Sequence, residues 1–584
     1  MKQELSELVQ SVLKQLNLED LPITITPTQD PSHGDYAMNV AFQAAKQLKT
    51  SPLEAAEKIC QELRTKGKEQ LSKIEVAKPG FINFTLSTSA LLESAATEHK
   101  KLGSSSFKDR KIMIEFTDPN PFKEFHIGHL YSNIVGESIA RLLEAAGAEV
   151  KRVCYQGDVG LHVAKSLWGM RQLMANNQWQ MADLEKRPLE ERVKFLGQAY
   201  ALGAARFEED QEAKKEIIAI NKQVYEIGSS PTAPGTNVSE MYTKGRQWTL
   251  EYFETIYARL GTTFWHYYFE SEAGPIGVDL VKEYLGRNIF RESEGAVIFP
   301  GEDHGLHTRV FINSLGLPTY EAKELGLAPT KYKDYPYDLS IIVTGNEINE
   351  YFKVLIKALS LIYPDLAGKT RHISHGMVRL PEGKMSSRTG NVKTGEWLLD
   401  EAKVRAAAKI AEVKEEKTSR VNATQEDEIS EIVGVGAVKW ALLRSGIGRD
   451  IEFSFAESVS FEGNCGPYIQ YTFVRTQSVL AKANERDLSI PFDPVALHPE
   501  ERQLLVYLTR YDDIVTEAAE RFAPNLVTTY LFELAQLFNL FYQKYPILKE
   551  KGEVRDLRLF LTGRVGETIK EGLYLLGIKS PEKM

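Results

Sequence analysis

Cysteine is scarce in this chain, and long apolar runs are absent from it. Three cysteines occur among 584 residues, and none lies in a Cys-x-x-Cys pair. The sequence therefore predicts neither a disulfide framework nor a structural zinc site, and we expect Cys60, Cys154 and Cys465 to be reduced, buried thiols. No stretch approaches the roughly 18 consecutive apolar residues of a transmembrane helix, so no membrane partner is predicted.

An excess of basic residues is also missing. Lys and Arg total 71 and Asp and Glu total 80, which gives a formal net charge of −9. Global charge therefore does not indicate a nucleic-acid partner, and any bound RNA must meet local basic patches. Residues 1–20 have a mixed-charge helical pattern and lack the apolar core and cleavage site of a signal peptide, so we expect a cytoplasmic protein.

The length predicts about three to five domains, and the changes in sequence pattern along the chain divide it into three. Residues 1–105 look like a small α/β domain that ends in the polar segment Gly103-Ser104-Ser105-Ser106. Residues 106–400 are predicted to form an α/β domain with a doubly wound parallel sheet of the Rossmann-like type, interrupted by a helical insertion at about 165–300. Residues 401–584 read as an all-α helix bundle.

In the first domain, alternating and apolar patterns predict strands over 23–26, 74–76 and 81–86, and helices over 36–48 and 51–65. Ser51 is the predicted N-cap of the second helix, with Pro52 in its first turn. In the last domain, residues 401–431 read as a charged, solvated linker helix. Helices are predicted over 502–521 and 525–545, and we interpret the aromatic stripe of the latter as core.

The middle domain opens with a strand, a loop, a helix and a second strand. The strand over 111–116 leads into a turn-rich loop, and the helix starts at His126 to His129 and runs to about Ala146. A second strand covers 149–155, the sheet is predicted to restart at about 295–299, and a further strand covers 339–344. Ligands bind at the carboxyl ends of such strands, which is where His126 and His129 fall.

Two tetrapeptides carry the chemistry. His126-Ile127-Gly128-His129 places two imidazoles three residues apart, on one face of a helix, with Gly128 between them leaving room for a flat ligand. Lys384-Met385-Ser386-Ser387 provides a lysine and two hydroxyls, which are typical of a phosphate-binding loop. Splitting ATP between its α- and β-phosphates needs both kinds of group, because charge builds on the reacting phosphate and on the departing pyrophosphate.

These tetrapeptides resemble the HIGH and KMSKS signatures of class I aminoacyl-tRNA synthetases. The surroundings are similar to the arginyl-tRNA synthetases in particular, through the segments at 115–120, 157–160, 316–320 and 377–387. His33-Gly34-Asp35-Tyr36 and the segment at 79–84 resemble that family's N-terminal extension. The segments at 466–471 and 576–584 resemble its C-terminal anticodon-binding domain.

The resemblance implies an arginine–tRNA ligase that forms arginyl-adenylate and passes arginine to the terminal adenosine of tRNA(Arg). Its expected partners are tRNA(Arg), L-arginine and ATP with Mg²⁺, without a dedicated protein metal site, and it is expected to act as a monomer. Catalysis would rest on His126, His129 and Lys384. Nucleotide contacts are expected from His126, Gly128, His129, Met377, Lys384, Met385, Ser386 and Ser387.

Arginine carries a planar cation with five donors, which carboxylates meet best in bidentate geometry. The residues allow Glu115 or Glu324 to take this cation. The resemblance implies that Glu115 and Asn120 face the amino-acid backbone, while Tyr320 and Glu324 hold the side chain. Two positions depart from the family pattern, since Glu324 stands where Asp is usual and Ser387 where a second lysine is usual.

The same resemblance suggests that the N-terminal domain contacts the tRNA elbow, with Asn39 as a candidate, although a turn-stabilising role suits Asn39 equally well. Tyr471 is the candidate in the anticodon-binding domain. A cysteinyl synthetase would bring zinc-ligand cysteines, a small HxGH nucleotidyltransferase would lack the Lys384 loop, and a non-catalytic paralogue would lose a histidine or Lys384. The spacing of His304 and His307 resembles a metal site, yet we predict no metal there.

Overall fold

The strands of the protein form one parallel sheet and several small antiparallel ones. In this computed structural model the described residues are 1–28, 30–67, 69–97, 107–229, 237–380, 394–415, 423–483 and 496–584. The strands are β1 (Ile25–Pro27), β2 (Tyr36–Met38), β3 (Leu71–Ala77), β4 (Phe81–Leu86), β5 (Lys111–Glu115), β6 (Glu149–Gln156), β7 (His266–Phe269), β8 (Arg291–Ser293), β9 (Ala296–Phe299), β10 (Arg309–Ile312), β11 (Leu339–Gly345), β12 (Thr370–His375), β13 (Val378–Arg379) and β14 (Ile451–Glu452).

Helices make up most of the remaining described structure. Up to residue 369 they are α1 (Lys2–Gln15), α2 (Ala41–Leu48), α3 (Pro52–Lys66), α4 (Thr88–Ala96), α5 (Ile127–Ala145), α6 (Leu161–Asn177), α7 (Met181–Glu185), α8 (Leu189–Glu209), α9 (Gln211–Ser229), α10 (Asn237–Leu260), α11 (Glu270–Leu285), α12 (Tyr320–Asp334), α13 (Asn349–Ile362) and α14 (Pro364–Lys369). The others are α15 (Gly395–Glu415), α16 (Ala423–Leu443), α17 (Phe455–Ser458), α18 (Gly466–Ala483), α19 (Pro499–Leu508), α20 (Tyr511–Glu520), α21 (Pro524–Lys544) and α22 (Gly552–Leu575). None of the described helices is both long enough and apolar enough to cross a membrane.

The central sheet has the order β12-β11-β5-β6-β7, and every neighbouring pair is parallel. Strand β5, at the centre of this sheet, is a continuous apolar run. Its residues Ile112, Met113 and Ile114 are fully buried, as expected for a strand covered on both faces. The chain moves outward from β5 through β6 to β7, and then returns to the other side of β5 through β11. This reversal is the switch point of a doubly wound sheet, so the predicted fold class is confirmed.

The predicted restart of the sheet at 295–299 is wrong. The parallel sheet resumes at β7, and β9 instead joins β8 and β10 in a separate antiparallel sheet. Glu294 and Gly295 both have positive φ values, of 50° and 77°, and form the two-residue turn of a β8–β9 hairpin. That local turn decides the pairing of β9, and helices α6 to α10 fill the chain between β6 and β7.

The N-terminal residues form a four-stranded antiparallel sheet in the order β1-β2-β4-β3, flanked by helices. The predicted helix over 36–48 is wrong at its start, because Tyr36 to Met38 pair with β4 and bury Tyr36 and Met38. Helix α3 begins as predicted, since the Ser51 hydroxyl accepts a hydrogen bond from the Glu54 backbone N–H at 3.2 Å.

The C-terminal region is helical, as predicted, with two corrections. Residues 401–431 do not form one solvated linker helix, because α15 and α16 pack on the core and bury Ala402 and Ala406 completely. The predicted helix over 502–521 is split into α19 and α20. The interpretation of the aromatic stripe in α21 as core is confirmed, since all of its members are fully buried: Leu531, Leu534, Ala535, Phe538 and Phe541.

Candidate functional site

Two histidines cap the helix that follows the first strand of the parallel sheet. His126 is the N-cap of α5, and its Nδ1 accepts a hydrogen bond from the His129 backbone N–H at 3.2 Å. In return, the Nδ1 of His129 accepts from the His126 backbone N–H at 3.3 Å. The two rings stack with centroids 3.4 Å apart. This reciprocal pairing is a capping box built from imidazoles, and it fixes both rings at the carboxyl end of β5.

The protonation state of the pair follows from these contacts. Loss of hydration, with a contribution from the Lys123 ammonium, lowers the pKa of His126 to about 4. The pKa of His129 lies well below its usual range, because the ring is buried and close to His126. Both rings are therefore neutral near pH 7. Since each Nδ1 accepts a backbone hydrogen bond, each Nε2 carries the proton and is a donor.

Gly128 stands beside the His126 ring. A Cβ at position 128 would lie 3.0 Å from the Cε1 and Nδ1 atoms of His126. This contact is tighter than ordinary van der Waals contact, so a larger residue would require the His126 ring to shift by a few tenths of an ångström. The glycine thus makes room for a histidine ring, in addition to leaving room for a ligand.

The segment that contains Lys384, Met385, Ser386 and Ser387 lies outside the described residues, but the chain that follows it contacts His126. Thr394, where the described chain resumes, forms an antiparallel β-bridge with His126. The Gly395 backbone N–H donates to the Phe125 carbonyl at 2.7 Å. On the other flank, Met377 is exposed by 46% and its backbone N–H donates to Asp450 Oδ1 at 3.0 Å.

Acidic side chains gather at the carboxyl end of β5, next to helix α12. Glu115 is 2% exposed, and its Oε2 lies 2.6 Å from the Nζ of Lys331, itself 2% exposed. Glu324, two helical turns before Lys331, is 8% exposed and forms no ion pair or hydrogen bond with any residue that the structure describes. Burial, followed by the nearby Glu115 carboxylate, raises the pKa of the Glu324 carboxyl to about 8.

A third acid of this cluster, Glu270, was missed by the sequence analysis. Glu270 opens α11 at the end of β7, and its Oε2 lies 2.6 Å from the Nζ of Lys323 on α12. The two helices approach closely because both have glycines at their contact, where a Cβ on Gly277 would lie 1.8 Å from the Ala322 carbonyl oxygen. The only sequence signal for Glu270 is its place directly after a strand of the parallel sheet.

Asn120 and Tyr320 border the same cluster. Asn120 lies against Gly157, where a Cβ would come within 2.2 Å of the Asn120 Oδ1 atom and 3.4 Å of the Glu270 carboxyl carbon. Tyr320 begins α12, is 58% exposed, and has the Lys323 Nζ 4.9 Å from its ring centroid. The structure therefore brings together all four residues predicted to bind arginine.

The two residues predicted to contact tRNA lie on elements that do not contribute to this cluster. Asn39 is exposed between β2 and α2. Tyr471 lies on α18, and the Arg475 guanidinium lies between the rings of Tyr471 and Tyr542, at 5.0 and 5.1 Å from their centroids. These two aromatic rings and one cation form a surface of the kind that nucleic-acid bases stack on.

His304 and His307, whose spacing resembles a metal site, lie apart from the cluster. His304 stacks on Phe299 with ring centroids 5.4 Å apart. Within the part of the chain that the structure describes, no group of three or more His, Cys, Asp or Glu side chains is arranged to hold a metal ion.

Three family models match the chain in order. Residues 3–86 match the arginyl tRNA synthetase N terminal domain, residues 91–455 match the class I (R) tRNA synthetase catalytic domain, and residues 469–584 match the DALR anticodon binding domain. The middle match alone covers more than half of the chain.

Relatives and solved structures agree with these matches. The chain is 32% identical over 594 residues to the arginine–tRNA ligase of Fusobacterium nucleatum, covering 100% of this chain and 99% of the relative. It is 29% identical over 588 residues to that of Halothermothrix orenii, covering 100% and 99%. The Thermus thermophilus arginyl-tRNA synthetase structure superposes over 100% of both chains with a TM-score of 0.77 and 25% identity. The chain belongs to the class I arginyl-tRNA synthetase family.

Proposed function

We infer that the chain is an enzyme that joins arginine to tRNA at the expense of ATP. The observation that carries this inference is the match of residues 91–455 to the catalytic domain of that family. In the reaction, a carboxylate oxygen of arginine bonds to the α-phosphorus of ATP while the bond to the bridging oxygen breaks and pyrophosphate leaves. The 2′-hydroxyl of the terminal adenosine then attacks the arginyl carbonyl, and AMP leaves.

We propose that His126 and His129 donate hydrogen bonds from Nε2 to the phosphate oxygens as negative charge builds on them. Their neutral state and the engagement of both Nδ1 atoms support this role. Preorganised donors of this kind each contribute about 3 to 4 kcal/mol to catalysis. From the family resemblance, Lys384 would neutralise the departing pyrophosphate. Gly128, Met377, Met385, Ser386 and Ser387 would contact the nucleotide.

For arginine, we propose that Glu324 and Tyr320 receive the guanidinium, while Glu115 and Asn120 receive the α-ammonium. Glu324 is the buried acid of the cluster that forms no ion pair or hydrogen bond with a described residue, so a guanidinium has most to contribute there. Glu115 and Glu270 already have lysine partners. Glu270 borders the same space, since a Cβ at position 157 would lie 3.4 Å from its carboxyl carbon.

The tRNA would then be held at several places. We propose that residues 1–105, with Asn39, contact the elbow, and that residues 401–584, with Tyr471, contact the anticodon loop. The catalytic domain would take residues 106–400. Mg²⁺ would arrive with ATP, because it is commonly bound through nucleotide phosphates and few protein carboxylates. We further propose a monomer that acts in the cytoplasm, in keeping with the family resemblance.

A charging assay with each of the twenty amino acids tests the proposal. Purified protein, tRNA, ATP and Mg²⁺ should give aminoacyl-tRNA with arginine and with none of the other nineteen. The His129→Ala variant should lower kcat by about 10²-fold or more and leave tRNA affinity unchanged, because His129 acts on the phosphate in the transition state. Charging with cysteine but not arginine would overturn the proposal.

A further inference from the structure

Lys331 is a buried cation at the base of the proposed arginine site, and the proposed mechanism gives it no role. It lies in the last turn of α12 and is 2% exposed. Its Nζ lies 2.6 Å from Glu115 Oε2. Burying an ammonium is costly unless it is paired, so the contact with Glu115 is what allows Lys331 to be charged here. The pairing holds its pKa above the usual range despite burial.

The pair also sets the charge of the whole cluster. Lys331 neutralises Glu115, and Lys323 neutralises Glu270. Asp118, a neighbouring acid, accepts a hydrogen bond from the Tyr155 backbone N–H at 2.8 Å, and burial raises its pKa well above the usual range. The Glu324 carboxyl forms no ion pair with a described residue, and in its ionised form it can match the guanidinium of a bound arginine.

We propose that Lys331 is a positioning residue for arginine recognition, which holds the Glu115 carboxylate oriented toward the substrate α-ammonium. The ammonium of Lys331 contacts Oε2 of Glu115. In this proposal the other carboxylate oxygen, Oε1, accepts a hydrogen bond from the substrate α-ammonium. The proposal rests on the arginine site described under Proposed function.

Three ligands distinguish recognition of the guanidinium end of arginine from recognition of its α-ammonium end. L-Arginine has a guanidinium, an α-ammonium and a carboxylate; agmatine lacks the carboxylate, and 5-guanidinopentanoate lacks the α-ammonium. In Lys331→Met, Glu115 loses the cation that holds its carboxylate in place. The KM for arginine and the inhibition constant of agmatine should therefore rise by at least about tenfold. The inhibition constant of 5-guanidinopentanoate should change less than about twofold, and so should the KM for ATP.

Two further variants test whether Lys331 acts through Glu115. In a Glu115→Gln background, Lys331→Met should raise the KM for arginine less than about twofold further, because the carboxylate on which Lys331 acts is gone. Lys331→Gln, which keeps a hydrogen-bond donor but no charge, should show the same split between ligands as Lys331→Met, and it replaces that variant if the latter does not fold.

The matched control is Arg558→Met. Arg558 is 4% exposed and its Nε lies 2.8 Å from Glu501 in the helix bundle, so this change also breaks a buried ion pair. It should lower thermal stability and leave the three ligand constants unchanged. Equal losses for all three ligands in Lys331→Met, or an unchanged KM for arginine, would overturn the role of Lys331 alone. Absence of arginine charging by the unaltered protein would instead overturn the proposed function.

Discussion

Glu324 gives arginine recognition a pH dependence at the scale of a single residue. Its carboxyl is buried beside Glu115, with Lys331 and Glu270 also nearby, and its pKa is raised to about 8. Below that pH the carboxyl is protonated and cannot pair with a guanidinium. We therefore predict that the KM for arginine falls as the pH rises from 6 to 8, by up to about tenfold per unit, and levels off above 8.

Steady-state charging at a series of pH values measures this effect. His126 and His129 stay neutral across the range because their pKa values lie far below it. They therefore add no titration to kcat. Glu324→Gln should raise the KM for arginine about 10- to 100-fold and remove its pH dependence. A slope that survives in Glu324→Gln would show that another group is responsible.

Single residues of the site were predictable where neighbouring sequence signals point to them. Glu115 and Asn120 precede the histidine pair along the chain, and Glu324 follows Tyr320 by one helical turn. Lys331 was not predictable, because its partner Glu115 lies 216 residues away along the chain. The pairing exists only after α12 packs beside the end of β5, and no local pattern encodes that packing.

At the scale of elements, the start of α5 combines a structural and a catalytic role in the same rings. Nδ1 of His126 caps the helix, while Nε2 faces away from that contact and carries the proton. The two roles are separable by substitution. We predict that His126→Ala lowers the free energy of unfolding by about 1 kcal/mol through loss of the cap, and also lowers kcat by about 10²-fold.

His126→Ser is the matched variant, because serine is a good N-cap but has no counterpart to Nε2. Its stability should stay close to that of the unaltered protein, while its kcat should fall as far as that of His126→Ala. Denaturant unfolding and single-turnover charging measure the two quantities. If serine restored kcat, the cap rather than the Nε2 donor would be the source of the catalytic effect.

Elements were predicted well where one pattern dominates and poorly where a short turn competes with it. Strand β5 is a plain apolar run, and its place in the parallel sheet follows from that run. The segment at 295–299 has the same apolar character, but the turn at Glu294 and Gly295 pairs it with its neighbour in the chain. Turn chemistry at two residues therefore outweighed the apolar pattern.

At the scale of the whole molecule, the N-terminal domain is held on the helix bundle by a buried carboxylate. Asp35 is 4% exposed and accepts two hydrogen bonds from the Arg502 guanidinium, at 2.8 and 2.7 Å. Arg502 also donates to the Leu86 carbonyl, and Arg510 donates to the Asp35 carbonyl, both at 3.2 Å. We call the Asp35–Arg502 ion pair the clamp. Asp35 precedes the proposed elbow contact Asn39 by four residues, so the clamp fixes the position of Asn39 relative to the helix bundle.

Breaking the clamp should affect tRNA and leave the small substrates alone. In Arg502→Met, the Asp35 carboxylate loses its bidentate partner, and the N-terminal domain is held less firmly against the bundle. We predict that the KM for tRNA rises by about tenfold, while the KM values for arginine and ATP change less than twofold.

Arg521→Met is the control, because it removes a cation from an ion pair with Glu517 at the surface. The side chains of Arg521 and Glu517 are 64% and 48% exposed. A rise in the KM for tRNA of equal size in both variants would reflect lost positive charge, whereas a rise in Arg502→Met alone identifies the clamp as what orients the N-terminal domain for tRNA.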